Sequence, residues 1–228
     1  YFRVHKDDFD PENEKIYIPI DVTPKSGSYY ANGEDVKFDR QADFLMVLDG
    51  RDNSRVLVQE RYEAFRVIFA EDYGEENPYF NIPDKNSPEF RKIYLALRLG
   101  MVNALYEEDT MSEKFETGKM TFGNGNPYDA DYNSVSDFYI NGDEVEIRLP
   151  WQLLNFSNPA QQQIHDDYYE HYGIENLRIQ SIYVGAGTSG DKGARIKMEE
   201  LKLNGWGRKP TYHERLKQSY YAVKEKWT

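Results

Sequence analysis

The chain has 228 residues, with 40 acidic against 28 basic side chains and a formal net charge of −12. That balance repels phosphate backbones and anionic bilayers, which argues against a nucleic-acid or membrane-surface binder. There is no cysteine, which excludes disulfide frameworks, zinc–thiolate centres and thiol catalysis; no run approaches the roughly 20 apolar residues of a membrane-spanning helix.

Tyr1-Phe2-Arg3-Val4 already reads as a strand, so the chain opens in mid-pattern. This predicts that upstream residues, including any targeting signal, have been removed. Residues 1–5 and 15–22 form two strands joined by the turn-rich segment Asp7 to Pro11. Residues 24–35, with Gly27 and Gly33, read as a loop. Residues 43–49 (Asp-Phe-Leu-Met-Val-Leu-Asp) are almost continuously apolar, the pattern of a central strand. After a turn at 50–54, residues 55–60 return as its partner, with Val56 and Val58 on one face. Residues 71–88 are acidic and rich in proline, asparagine and glycine, which predicts a long surface excursion.

Residues 93–99 read as a further strand and 119–122 as a short one, followed by a large polar loop over 123–134. Residues 137–140 and 144–149 make a hairpin across Asn141-Gly142. In its second arm Val145, Ile147 and Leu149 share one face while Glu144, Glu146 and Arg148 share the other. That period of two marks a strand with one buried and one wet side. Asn158-Pro159-Ala160-Gln161 has a capping asparagine, proline at the first position and glutamine at the third, which predicts a helix to Tyr172, stopped by Gly173. Residues 177–186 and 194–203 are the last strands. Thr211-Tyr-His-Glu214 is a capping box, and Tyr212, Leu216, Tyr220, Val223 and Trp227 form an apolar stripe at helical spacing. The expected fold is all-β: an antiparallel, jelly-roll-like β-sandwich over 1–205 that lacks its first strands. It carries long loops and one short internal helix. An amphipathic C-terminal helix over 206–228 packs on it or on a neighbouring domain.

The segment Glu144-Val-Glu-Ile-Arg-Leu-Pro-Trp151 resembles the valine–glutamate–isoleucine–x–isoleucine–proline–tryptophan strand of the family 9 carbohydrate-binding modules and their DOMON-type relatives. The opening Tyr1-Phe-Arg-Val4 looks like the tyrosine–leucine–x–valine strand of the same modules. Residues 43–49 sit where they carry a strand running into an acidic loop. The ending, Trp206 through Tyr220, looks like the C-terminus of large bacterial surface proteins connected with cell-envelope polysaccharide. The resemblance implies a β-sandwich that binds sugars or, in other branches, haem, in an extracellular or cell-surface bacterial protein. It also implies a structural calcium ion.

Sugar recognition needs flat aromatic faces for C–H stacking and planar polar groups for hydroxyls. Trp206, in Gly205-Trp206-Gly207, has no apolar neighbours in sequence and is the best platform candidate; anchoring the chain before the last helix is its plainer role. Tyr29-Tyr30 and Tyr79-Phe80 are loop aromatics that line a cleft or pack their own loops. Trp151 is expected to be buried at a strand-to-helix corner. Asp49, Asp52 and Asn53 offer two carboxylates and an amide within one turn, suited to calcium and equally to an ordinary hairpin turn. Asp129, Asp131 and Asp137 are a weaker set of the same kind. Glu144 and Glu146, about 6–7 Å apart along one strand face, are the only carboxylate pair with a glycosidase-like arrangement; a charged solvent face is the simpler reading. The histidines show no shared-ligand spacing, and a haem site would have to draw on Met46 or Met120.

The expected function is therefore non-catalytic polysaccharide or oligosaccharide binding within a larger polypeptide. A domain that only docks on its neighbours is the alternative, and a glycoside hydrolase using Glu144 and Glu146 the third reading.

Overall fold

A computed structural model of the chain describes residues 1–5, 7, 10, 13–64, 82–98, 113–170, 175–191, 193–207 and 224. Tyr79, His171, Gly173 and the striped C-terminal segment, Lys224 apart, lie outside them. The first half supplies β1 (Phe2–His5), β2 (Ile16–Asp21), β3 (Ser28–Ala31), β4 (Val36–Ala42), β5 (Phe44–Leu48), β6 (Arg55–Gln59), β7 (Phe90–Lys92) and β8 (Tyr94–Arg98). The second supplies β9 (Glu113–Glu116), β10 (Phe138–Asn141), β11 (Glu144–Ile147), β12 (Phe156–Asn158), β13 (Gln163–His165) and β14 (Asn176–Arg178). It ends with β15 (Ser181–Gly185), β16 (Gly187–Thr188), β17 (Arg195–Ile196) and β18 (Met198–Lys202). The fold is all-β, and among the described strands every pairing is antiparallel except that of β17 with β4.

The central sheet runs β18-β15-β2-β5-β6-β7, with β16 also on β2. β5 is bonded on both sides, to β2 and β6, and all five of its residues are buried. Burial of both faces is what its unbroken apolar run requires. On one face Ile18, Phe44, Met46, Val56 and Val58 pack against Phe138, Val145 and Ile147 of the sheet β1-β11-β10 and against Phe156 and Ile164 of β12-β13-β14. On the other face Tyr17, Leu45 and Val47 pack against Ala31, Val36 and Phe38 of β17-β4-β3. The sandwich thus carries a third layer.

The hairpin strand keeps its predicted sides: Val145 and Ile147 are buried while Glu144 and Glu146 are partly exposed. Pro19 sits inside β2, where it has no N–H for the ladder. Its neighbours on one side are split accordingly, with β15 ending at Gly185 and β16 resuming at Gly187.

Four sequence expectations change. Residues 24–35 are not all loop, because Ser28–Ala31 pairs with β4, a strand absent from the sequence reading. Residues 119–122 make only isolated bridges, Arg55 with Lys119 and Phe122 with Phe138. The internal helix does not form. Asn158 does cap a turn, but that turn is a single 3-10 turn, Pro159–Gln161, and β13 follows it. Ile164 is drawn into the core there, and tertiary burial overrides the local helix signal. Trp151 does begin a 3-10 turn at the predicted corner, but it is 38% exposed rather than buried, edge-on to Phe156 at 4.7 Å.

Candidate functional site

The turn after β12 is built for a close crossing. The Asn158 side-chain oxygen accepts from the Gln161 amide at 3.3 Å, and Gln162 adopts a left-handed backbone with φ 60°. Non-glycine residues are uncommon in that region. Gln162 is held there at both ends of its side chain. Its amide nitrogen donates to the Leu203 carbonyl at 2.5 Å, and its amide oxygen accepts from Arg178 at 3.1 Å. Arg178 is in turn the cross-strand partner of Gln163 in the β13–β14 pair.

Gly205-Trp206-Gly207 crosses this turn closely. A Cβ on Gly205 would stand 2.9 Å from the Ala160 carbonyl oxygen and 3.0 Å from the Gln162 side chain. Gly207 has φ 61°, a left-handed value that favours glycine, and its N–H donates to the Ala160 carbonyl at 2.9 Å. The backbone is therefore fixed on both sides of Trp206, which remains 51% exposed. Gln161, Gln162, Gln163, Arg178, Ala160 and the two glycines line an open hollow of about 300 Å³. Its described walls offer three carboxamides and one guanidinium, and Trp206 stands in the chain between the two lining glycines. That set can donate to and accept from hydroxyl groups beside a flat aromatic face.

The other aromatic candidates are elsewhere. Tyr29 and Tyr30 are 47% and 48% exposed, both outward on β3. A register shift between Ser28 and Tyr30 breaks the alternation that would have buried one of them. They belong to the layer on the opposite face of the central sheet from β12-β13-β14, so they do not join Trp206 in one site.

In the turn 49–53 the Asp49 carboxylate lies 3.6 Å from the Lys15 ammonium, and Ser54 closes the turn by donating to the Gly50 carbonyl and accepting from the Asp49 amide. Asp52 and Asn53 are exposed. Calcium needs six to eight oxygens, and among the described residues no three His, Asp or Glu side chains converge for a metal. At the second loop the Asn124 amide nitrogen donates to both Asp129 and Asp131, at 2.8 and 2.9 Å. Asp137 instead accepts the Thr121 amide.

Glu144 and Glu146 share one guanidinium, that of Arg3, at 3.8 and 2.6 Å. The hollow beside Glu146 holds about 40 Å³, room for a water molecule but not for a sugar ring. Met46 and Met120 are core residues. A cavity of about 320 Å³ is lined partly by core residues, Phe44, Val58, Tyr62, Ile93 and Leu153, and partly by polar groups that include Glu63, Thr117, Gln152 and Asn155.

Sequence reasoning found Trp206 and missed its companions. Gln161, Gln162 and Gln163 were absorbed into the expected helix, although three consecutive carboxamides were the available signal. Arg178 had no local signal, because its role depends on pairing across to Gln163. No family model, curated protein or solved structure matches the chain, so the site rests on its own geometry.

Proposed function

We propose that the chain is a non-catalytic carbohydrate-binding module that holds polysaccharide in the hollow beside Trp206. One observation carries the reading: an exposed tryptophan flanked by two glycines that both line a groove of carboxamides. The resemblance of the β11 strand to family 9 and DOMON-type modules supports the same reading and implies a place in a cell-surface or secreted protein. The paired carboxylates Glu144 and Glu146 neutralise Arg3 and face no cleft of sugar size, which favours binding over hydrolysis. The test is calorimetric titration of the folded chain with soluble cell-wall and plant polysaccharides. Saturable binding is expected, with Trp206→Ala weakening it by about two- to tenfold, since stacking on an aromatic face contributes about 0.5–1.5 kcal/mol. No binding across the panel would reverse the reading in favour of a domain that only docks on its neighbours.

A further inference from the structure

The groove has a charge, and its sign is opposite to that of the protein. Arg3, Arg40, Arg55, Arg61 and Arg91 each hold a carboxylate. Arg178 does not: among the described residues it makes one hydrogen bond, to the neutral Gln162 amide oxygen, and is otherwise exposed. Arg178 shares this state with Arg51, Arg148 and Arg195, none of which holds a carboxylate among the described residues; Arg148 instead donates to backbone carbonyls and Arg51 lies over the Phe122 ring. Arg178 is the one charged residue among the described residues lining the hollow.

Its position is prepared. Gln162 grips Arg178 by its oxygen and the Leu203 carbonyl by its nitrogen, two residues before Gly205. The guanidinium is thereby tied to the same strap that presents Trp206. Only one of its five N–H donors is used, which leaves an edge able to take a carboxylate in paired hydrogen bonds. Gln161 and Gln163 flank it with carboxamides suited to hydroxyls. The volume, about 300 Å³, falls at the small end of ligand clefts, which run from roughly 300 to 1,000 Å³.

We infer that this groove selects an acidic sugar: a uronate whose carboxylate meets Arg178, whose hydroxyls meet the flanking glutamines and whose ring lies against Trp206. The inference rests on the carbohydrate-binding reading and adds its ligand class. The net charge of −12 opposes an anionic polymer at long range, but that repulsion is screened beyond about 8 Å at physiological salt. A charge-assisted contact inside the groove acts at much shorter range.

The test pairs uronate oligomers with neutral counterparts: oligogalacturonate with galactan, oligomannuronate with mannan, and glucuronate-bearing with unsubstituted xylan oligomers. Calorimetry would be run at about 50 and about 500 mM salt on the wild type, Arg178→Gln, Arg178→Lys and Trp206→Ala, with circular dichroism as the check on folding. At least one acidic member should bind about tenfold or more tighter than its partner. That preference should shrink at high salt, vanish in Arg178→Gln and survive in part in Arg178→Lys, whereas Trp206→Ala should weaken both members of the pair. Equal affinity within every pair, or a preference untouched by Arg178→Gln, would overturn the acidic-sugar inference and leave the carbohydrate reading standing. A folded protein that binds neither member of any pair would overturn both.

Discussion

At Asp43 a carboxylate is placed where water does not reach it. It accepts the backbone amides of Val22 and Thr23 at 2.7 and 2.8 Å through one oxygen, and the Ser26 hydroxyl at 3.4 Å through the other. One side chain thus ties the end of β2 to the start of β5. Burial pushes its pKa well above the ordinary carboxylate value, and the nearby Asp21 pushes the same way, against the opposing pull of the three hydrogen bonds. Asp43 therefore keeps its proton to a higher pH in the folded chain than in the unfolded one. Between the two pKa values the folded state binds more protons, so this contribution to stability is complete in acid and is lost as the pH rises through the folded value. Asp43→Asn retains an oxygen for both amides and removes the titration. Urea unfolding at about pH 5 and about pH 8 should show a smaller fall in stability for Asp43→Asn than for the wild type. Asp43→Ala, which leaves the amides unsatisfied, should cost about 1–3 kcal/mol at about pH 5 and less at about pH 8.

Between β17 and β18 the chain leaves the outer layer for the central sheet, and two glycines make the crossing possible. Ile196 pairs with Phe38 in β4, while Met198 pairs with Gly185 in β15. A Cβ on Gly185 would stand 2.4 Å from the Lys197 carbonyl oxygen, and one on Gly187 would stand 2.6 Å from the Ile196 side chain. Gly185→Ala should destabilise the fold by about 2 kcal/mol or more, because backbone rather than a flexible side-chain end would have to move. For a chain of this size that is a fall of roughly 4–8 °C in melting temperature; an unchanged melting point would mean that the crossing is looser than these distances require. Elements of this kind mark how far the sequence could be read. β5 and β11 were legible because each is one strand with its own hydrophobic pattern, continuous in β5 and alternating in β11. The helix after Asn158 was misread because a cap specifies where a turn starts, whereas Ile164 in the core decides how the chain continues. β4 carried a period of two at Val36 and Phe38, but its following residues Asp39 and Arg40 are both exposed and obscure it.

Across the whole molecule the central sheet is shielded by different sequences on its two sides, and the candidate groove belongs to only one of them. Its described parts lie far apart in the chain, in residues 160–163, at 178 and at 205 and 207, so Trp206 and the run Gln161–Gln163 each carried a local signal whereas Arg178 did not. β13, which carries part of the groove, contributes Ile164 to the cluster shared with Phe138 and Ile147. Phe38 sits in the other cluster, fully buried and edge-on to Phe90 at 6.4 Å. Phe38→Ala should therefore cost about 3–5 kcal/mol, a large share of a typical stability of about 5–15 kcal/mol. The loss should fall first on the layer β17-β4-β3. Amide exchange should accelerate in β3 and β4 more than in β10 and β11, and carbohydrate affinity at the Trp206 groove should be unchanged under conditions where the variant remains folded. Equal acceleration in all layers would mean that the third layer folds and unfolds with the rest as one cooperative unit. Loss of sugar binding in the folded variant would instead mean that the two faces of the central sheet are coupled through strands such as β5, whose five residues alternate between the two clusters.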